Sequence, residues 1–145
     1  MVMIEKNEKI GKKLYATGNG KCNFTNATMD ISHFHGDRTL IYKTLSSFTT
    51  ADSLSFFHEI GIYPKEKNGY YYPSSEQASS VVTALENELF RLGVTITYST
   101  IVKEIIPSKY GFELKMERKN KNETAIFQSK KLIVVFLKSK TSPSL

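Results

Sequence analysis

Residues 11–26, GKKLYATGNGKCNFTN, contain the densest group of residues suited to binding an anion. Gly18 and Gly20 flank Asn19, so the backbone there can adopt positive φ angles and let a ligand approach closely. Positive charge beside such a turn complements phosphate. Three lysines supply that charge: Lys12, Lys13 and Lys21. Because a short apolar run precedes the stretch, the pattern predicts a cradle for an anion or a nucleotide.

Cys22 is the only cysteine of the chain and lies in the same stretch. Lys21 beside it would lower the pKa of the thiol, and a loop position would expose it, as a nucleophilic or redox cysteine requires. The sequence contains no base that is evidently aimed at this thiol. We therefore favour packing or backbone positioning for Cys22 and keep catalysis as the lesser alternative.

His33 and His35 are separated by one residue and precede Asp37, a spacing that can chelate zinc on a strand. No further cysteine or carboxylate cluster in the sequence completes a set of four ligands. Polar loop residues bonded to backbone groups are the better interpretation, so we expect no metal site.

The elements that position these residues begin with a strand at residues 1–5, which places Glu5 at its carboxyl end. In a dinucleotide-binding βαβ unit, an acidic residue closes the second strand about 20 residues after the glycine-rich turn and accepts hydrogen bonds from ribose hydroxyls. The sequence before Glu5 contains no such turn. Residues 1–5 are therefore predicted to be the second Rossmann strand, with Glu5 facing a ribose.

Residues 38–92 show helical patterns and residues 94–137 show strand patterns, which together predict an α/β fold. Helices are expected at 38–48, 51–60 and 74–92. Thr50 would cap the second helix, and Ser74 with Gln77 would form a capping box for the third. Tyr63-Pro64 and Lys67–Gly69 are expected to form a loop. Strands are expected at 94–98, 101–106, 112–117, 125–128 and, buried on both faces, 131–137.

The segment EKNEKIGKKLYATGNGKCNFTN resembles a bacterial family of FAD-dependent oxidoreductases, described as aminoacetone-oxidase-like or as reductases of 3-dehydro bile acids. Members carry a glutamate at the end of the second Rossmann strand, then Gly-Lys-Lys or Gly-Arg-Lys, Thr-Gly-Asn-Gly, a basic residue and Cys-Asn. The match continues in SFTTADSLSFFHEIGI, in YYYPSSEQASSVVTALENELFRLGV and in the strand around Val102. It covers nearly the whole chain up to about Val134.

The resemblance implies one partial, Rossmann-like FAD-binding domain over residues 1–145, with a helical segment and an antiparallel β-meander. Its parts would be the second Rossmann strand (1–5), a flavin-contact loop (6–28), helices (38–92), and a β-meander with a returning strand (94–137). Strands 2–5 and 132–136 would share one parallel sheet. The residues implied to contact the cofactor are Glu5, Lys12, Lys13, Thr17, Gly18, Asn19, Gly20, Lys21, Cys22, Asn23 and, through its backbone at the adenine edge, Val102.

The function implied by the resemblance is that of an NAD(P)H-dependent flavoprotein oxidoreductase, which uses FAD on a small-molecule substrate. The G-x-G-x-x-G turn is missing from this sequence, and KSKTSPSL stands at residues 138–145 where the family has an Ala-Thr-Gly-Gly turn. We therefore expect a fragment that binds FAD poorly or not at all on its own, with a complementing chain as a possible partner. The alternative is a non-catalytic remnant or interaction module that binds no flavin.

The composition is that of a globular protein, because 40% of the residues are hydrophobic. The net charge of +6 comes from lysines spread along the sequence, and no motif of a nucleic-acid-binding domain occurs, so we expect no nucleic-acid partner. One cysteine suits a reducing compartment. No apolar run approaches the roughly 20 residues that span a bilayer, so we expect a cytoplasmic protein without a membrane partner.

Overall fold

The computed structural model describes residues 1–119 and 123–135 of the 145-residue chain. The strands in these ranges are β1 (Val2–Ile4), β2 (Thr25–Asn26), β3 (Pro64–Lys67), β4 (Tyr70–Pro73), β5 (Thr95–Thr97), β6 (Thr100–Ser108), β7 (Gly111–Arg118) and β8 (Glu123–Ser129). The α-helices are α1 (Lys12–Ala16), α2 (Arg38–Ser47), α3 (Thr50–Glu59) and α4 (Ala78–Arg91). Two 3-10 turns span Thr17–Gly20 and Ile31–His33. No helix within the described ranges is long and apolar enough to cross a membrane.

β1 and β5 form a two-stranded parallel sheet, although all four helices lie between them in the chain. Val2 lies opposite Thr95 and Ile4 lies opposite Thr97. The pairing extends one residue further, because the Glu5 N–H donates to the Thr97 carbonyl at 2.9 Å. The parallel pair agrees with the predicted Rossmann-like α/β fold. One expectation needs correction, because β5 belongs to this sheet and not to the β-meander.

The returning strand predicted at 132–136 is wrong for residues 132–135, which form no strand. Ile133 is 86% exposed and Val135 is 75% exposed, so this segment is not buried on both faces. In a doubly wound sheet with the order 3-2-1-4, the fourth strand pairs with the first. β1 and β5 correspond to the second and third strands, so the described residues offer the segment no strand to pair with. Residues 136–145, including the altered turn at 138–145, lie outside the described residues.

β2, β4 and β3 form an antiparallel sheet in that order, with a hairpin between β3 and β4. Asn68 and Gly69 form its two-residue turn with φ angles of +54° and +81°, as the tight turns of twisted hairpins require. The predicted loop is therefore wrong for Pro64 and Lys67, which are the first and last residues of strand β3. The Asn-Gly pair indicated a hairpin turn. The strand that precedes it was not predicted, because the charged residues of its sequence PKEK are not typical of a strand.

β6, β7 and β8 form the antiparallel β-meander that the resemblance implied. One face of β7 is apolar and packed, since Leu114 and Met116 are buried there, in agreement with the alternation of polar and apolar residues. The polar residues of β7 make two cross-strand ion pairs, Lys115–Glu104 at 2.9 Å and Lys103–Glu117 at 2.8 Å. Exposed pairs of this kind contribute little, so the packed face stabilises the meander.

α4 is the longest helix of the described residues, and its beginning differs from the prediction. The expected capping box is wrong, because Gln77 precedes the first helical residue and makes no capping bond through its side chain. Ser74 is used elsewhere: its N–H at 2.8 Å and its hydroxyl at 2.9 Å both donate to the Tyr63 carbonyl. These two hydrogen bonds hold the start of the turn that leads from β4 into α4.

α3 begins one residue earlier than predicted, with Thr49 and not Thr50 as its cap. The Thr49 hydroxyl accepts from the Asp52 N–H at 3.2 Å, and the Asp52 carboxylate accepts from the Thr49 N–H at 2.7 Å. This reciprocal capping box satisfies two backbone donors that the first turn would otherwise leave unpaired.

A small hydrophobic core joins the stretch after α1 to α3 and α4. Its buried members are Cys22, Ile62, Ala78 and Val81. Partly buried side chains pack around them, and among these the Phe24 and Phe57 rings lie 4.3 Å apart between centroids. Burying a side chain such as Val81, which is 0% exposed, contributes about 1.5–3 kcal/mol. The core therefore holds the chain at Cys22 and Phe24 against α3 and α4.

Candidate functional site

Glu5 directly follows β1, so its carboxylate lies at the carboxyl end of that strand. The side chain is half-buried, and its Oε1 accepts from the Asn7 N–H at 2.8 Å and from the Asn7 side-chain amide at 2.7 Å. These bonds orient the carboxylate. They leave its Oε2, which accepts no hydrogen bond from the described residues, able to accept from a ligand hydroxyl.

A cleft of about 420 Å³ opens next to Asn7. We call it the lysine cleft, because its lining includes Lys6, Lys9, Lys12 and Lys119, with Glu8 as the one carboxylate among the described residues that line it. Tyr15 and Ser99 contribute an aromatic ring and a hydroxyl. Four ammonium groups against one carboxylate give this cleft a positive potential, which favours an anionic ligand.

Backbone hydrogen bonds hold together the three segments that line the lysine cleft. The Ser99 N–H donates to the Asn7 carbonyl at 3.0 Å, and the Lys119 N–H donates to the Ser99 carbonyl, also at 3.0 Å. The start of β6 is joined as well, because the Thr100 N–H donates to the Glu5 carbonyl at 3.0 Å. The cleft is therefore formed by ordered backbone and does not depend on the long lysine side chains for its shape.

Residues 17–23, which we call the glycine loop, adopt the backbone conformation that the sequence predicted. Gly18 and Asn19 have φ angles of +55° and +54°, and the Cys22 N–H closes the loop onto the Thr17 carbonyl at 3.1 Å. A Cβ on Gly18 would lie 2.8 Å from the Asn23 nitrogen, so only glycine fits there. A Cβ on Gly20 would meet no atom within 4 Å, so that side of the loop is open to a ligand.

Lys21 is paired with Glu76, in the turn that leads into α4. The Lys21 ammonium lies 2.7 Å from Glu76 Oε2, and Lys65 lies 2.7 Å from Oε1 of the same carboxylate. The hydrogen bonds from the two lysines lower the pKa of Glu76 to about 2, and the bond to Glu76 raises the pKa of Lys21. The cofactor contact implied for Lys21 stays a prediction, and in this structure the Lys21 ammonium is bound to Glu76.

Cys22 is 1% exposed and belongs to the hydrophobic core. Burial raises the pKa of its thiol, while the hydrogen bond with Thr17 acts in the opposite direction. The expectation that Lys21 lowers this pKa and that the loop exposes the thiol is wrong, because the Lys21 ammonium is bound to Glu76. A buried, protonated thiol is a packing group and a poor nucleophile.

The remaining predicted residues occupy separate places. Lys13 lies on the exposed side of α1, and the Asn23 side-chain amide donates to Asn26 Oδ1 at 3.5 Å. Val102 is half-buried on β6, opposite Met116. The register of β6 breaks directly after it, a β-bulge of the kind that often re-aims backbone groups near binding sites. Its role at the adenine edge stays a prediction.

Of the residues predicted to contact the cofactor, Lys12 lines the lysine cleft. Glu5 directly precedes residues 6–10, which form one wall of this cleft. Lys21 and Cys22 face the β4–α4 turn and the core instead. Sequence reasoning missed the other cleft lysines and Glu76. The spacing of Lys6, Lys9 and Lys12 was a local signal for a basic segment, whereas the distant Lys119 and Glu76 gave none.

The other candidate features of the sequence and fold carry no comparable chemistry. His33 and His35 are exposed, and the described residues contain no group of three His, Cys, Asp or Glu side chains arranged for a metal ion. A second, open groove of about 700 Å³ lies between the end of α3 and the polar face of α4. Its lining, which includes Gly61, Ser80 and Asn87, contains no predicted site residue.

The parallel β1–β5 pair, with a carboxylate at the end of β1, is the arrangement found in part of a Rossmann-like domain. The model of the HI0933-like protein Rossmann domain matches residues 1–142. The chain belongs to this family of FAD-dependent oxidoreductases, which confirms the resemblance read from the glycine loop.

Curated relatives agree with this assignment. The chain is 41% identical over 116 residues to the 3-dehydro-bile acid delta(4,6)-reductase of Clostridium scindens, covering 79% of this chain and 28% of that protein. It is 28% identical to the ribosomal RNA dihydrouridine synthase of Haemophilus influenzae, covering 72% and 26%, and 26% identical to that of Escherichia coli, covering 79% and 29%. The chain thus spans between 26% and 29% of the length of these relatives.

A solved structure shares the fold. The crystal structure of Thermovibrio ammonificans THI4 is similar with a TM-score of 0.51 and 12% sequence identity. The similarity covers 88% of this chain and 44% of that one. At this identity the likeness extends to the fold alone.

Proposed function

We propose that this chain contributes part of the FAD site of an NAD(P)H-dependent flavoprotein oxidoreductase. The observation that carries the proposal is the lysine cleft beside the end of β1, where Glu5 stands next to a pocket lined by four lysines. A dinucleotide bound at the carboxyl edge of such a sheet makes two kinds of polar contact. Its ribose hydroxyls donate to a carboxylate, and its pyrophosphate is bound by cationic groups.

Each group of residues fits one part of the cofactor. Glu5 Oε2 would accept from the ribose hydroxyls, while Asn7 holds the other carboxylate oxygen in place. Lys6, Lys9 and Lys12 would hold the pyrophosphate. The open side of the glycine loop at Gly20 would meet the flavin, with Val102 at the adenine edge as the resemblance implies.

The bound flavin would supply hydride and electron transfer, and this chain would bind and orient it. The single thiol, Cys22, is buried and its pKa is raised, so it is a poor nucleophile. The described residues therefore bind the cofactor and fix its orientation. They leave the chemistry to the flavin, and the remaining contacts would come from a glycine-rich βα unit on a complementing segment or chain.

For the substrate we propose a small molecule in the cytoplasm. The relative with 41% identity is named as a reductase of 3-dehydro bile acids, whereas those named as ribosomal RNA dihydrouridine synthases share 28% and 26%. The higher identity favours the small-molecule class. The competing substrate class is RNA. If it applied, an RNA duplex or loop would shift the same NMR resonances of the lysine cleft that FAD shifts, and this binding would depend steeply on salt.

The experiment is a titration of the ¹⁵N-labelled chain with FAD, followed amide by amide by NMR. We expect weak binding, with a Kd of about 0.1–1 mM, that shifts the amides of residues 5–12 and 18–20. Glu5→Gln should weaken binding about tenfold, because a charge-assisted hydrogen bond contributes about 1.5–3 kcal/mol. Glu59→Gln, which makes the same change in charge in the other groove, should leave the Kd unaltered.

Two outcomes would overturn the proposal. One is the absence of any shift with FAD at several times the expected Kd. The other is a set of shifts confined to the groove between α3 and α4. A low-micromolar Kd would support FAD binding and contradict the expected weakness of this chain alone.

A further inference from the structure

Glu76 occupies a strained position that a glutamate rarely occupies. Its φ angle is +50°, in the left-handed region, where glycine or asparagine fits with less strain. The turn is nevertheless ordered, since the Glu76 N–H donates to the Pro73 carbonyl at 2.8 Å. A charged side chain retained in such a conformation points to a use for the carboxylate itself.

Both oxygens of that carboxylate are engaged. Oε2 lies 2.7 Å from the Lys21 ammonium, and Oε1 lies 2.7 Å from the Lys65 ammonium. Lys65 belongs to β3, on the same hairpin that leads into the turn, whereas Lys21 belongs to the glycine loop, 55 residues away in sequence. The Lys21 arm of this pair therefore ties two distant segments together, and the Lys65 arm stabilises the turn locally.

The glycine loop has few other side-chain attachments on its ligand side. The Cys22 N–H closes the loop onto the Thr17 carbonyl, and beyond the carboxyl end of the loop the Phe24 N–H donates to the Tyr71 carbonyl at 3.0 Å. Within the loop the Gly18 carbonyl accepts from the Lys21 N–H at 3.1 Å, whereas a Cβ on Gly20 would meet no atom within 4 Å. The Lys21–Glu76 pair is the side-chain contact that holds this part of the loop to the β4–α4 turn.

We propose that Glu76 is a positioning residue that latches the glycine loop onto the β4–α4 turn through Lys21. With the latch closed, the Lys21 charge is neutralised, so the loop presents backbone amides and the open side of Gly20 to a ligand. The lysine cleft then carries the positive charge for the phosphates. The consequence for ligand binding rests on the proposed function, while the latch itself does not.

Cys22 supplies a direct measure of the latch in the full chain without any flavin. It is the only cysteine, it follows Lys21, and it is 1% exposed, so a thiol reagent such as DTNB reaches it only when the loop opens. Opening should become more frequent without the latch. Glu76→Gln and Lys21→Gln should each raise the labelling rate about three- to fivefold, and the double variant should be no faster than either single one.

Two matched variants separate the latch from the backbone and from the local ion pair. Glu76→Asn keeps a residue that tolerates positive φ but removes the carboxylate, so it should label as fast as Glu76→Gln. Lys65→Gln removes the other arm of the same carboxylate, so its rate should stay within about twofold of the wild type. Circular dichroism at the labelling temperature should establish that every variant is folded.

Salt supplies a second readout, because it acts on the Lys21–Glu76 ion pair and not on the apolar packing around Cys22. Raising NaCl from about 0.05 M to about 0.5 M screens the exposed pair, so labelling of the wild type should accelerate and labelling of Glu76→Gln should not. The assignment is overturned if Glu76→Gln or Glu76→Asn labels at the wild-type rate, or if Lys65→Gln labels as fast as they do. A chain with the expected labelling rates but without FAD binding would contradict the proposed function and leave the latch intact.

Discussion

Gly11 packs against Val82 so closely that a Cβ built on Gly11 would lie 2.6 Å from Val82 Cγ2. Gly11 also has a φ angle of +74° and precedes the first residue of α1. α1 carries Lys12 and Tyr15 of the lysine cleft, while Val82 is one of the buried residues of α4. This contact therefore sets how near the cleft-bearing helix lies to the longest helix.

Gly11→Ala should destabilise the chain by about 3 kcal/mol, because the added methyl group overlaps Val82 and positive φ disfavours alanine. Gly93→Ala is the matched control, since Gly93 has a φ angle of +68° and a methyl group added there would meet no atom within 4 Å. It should cost only about 1–2 kcal/mol. Urea unfolding measures both values.

The double variant Gly11→Ala/Val82→Ala tests the cause. Removing the two Val82 methyl groups relieves the overlap, so the pair should couple favourably and lose less stability than the two single changes together. Equal costs for Gly11→Ala and Gly93→Ala would contradict close packing at Gly11. Strict additivity in the double variant would contradict it as well.

The Glu76 carboxylate predicts how stability depends on pH. Its pKa falls from the ordinary 4.5 to about 2 in the folded chain, because Lys21 and Lys65 bond to the ionised form. Because folding lowers this pKa, the stabilisation that the ionised Glu76 carboxylate contributes is complete above the pKa of the unfolded chain. It is lost as pH falls from about 4.5 towards about 2.

Urea unfolding of the wild type and Glu76→Gln between neutral and acidic pH measures this loss. The difference in unfolding free energy between the two should be constant at neutral pH and shrink below about pH 4.5. Both partners are partly exposed, so added salt should reduce the difference at every pH. A difference that grows on acidification would have the wrong sign for this ion pair.

Local signals in the sequence predicted the elements that depend on local chemistry. Val2–Ile4 form a strand, the positive φ angles of Gly18 and Asn19 are present, and Leu114 alternates with polar neighbours on β7. Each of these features depends only on a few neighbouring residues, either through the backbone conformations that they allow or through the spacing of their apolar side chains. The family match over residues 1–142 then supplied the fold class.

Features that depend on distant contacts could not be predicted in this way. β5 is three residues long, and only its register with β1 separates it from the meander that follows. Lys119 reaches the lysine cleft because its N–H bonds to Ser99, and Glu76 reaches Lys21 across a tight turn. No local pattern marks either residue. Cys22 illustrates the same limit, since its neighbour Lys21 is adjacent in sequence but bonded elsewhere.

Single-charge changes in the lysine cleft should shift anion affinity with opposite signs. Lys119→Gln should weaken the binding of ADP about two- to fivefold, because one exposed cation at a phosphate contributes about 0.5–1 kcal/mol. Glu8→Gln removes the one carboxylate of the cleft lining and should strengthen binding by a similar factor. Lys67→Gln, an exposed change on β3 away from the cleft, should have no effect.

NMR titration at low and high salt measures these affinities. ADP should bind more weakly at about 0.5 M NaCl than at about 0.05 M, since the Debye length falls well below the size of the cleft. Riboflavin lacks the phosphates and should show no such dependence. A loss of affinity in Lys119→Gln without a loss in Lys67→Gln would place the anion in the cleft, because a general effect of net charge would lower affinity equally in both variants. Equal losses of affinity in those two lysine variants would therefore contradict the placement of the phosphate in the lysine cleft.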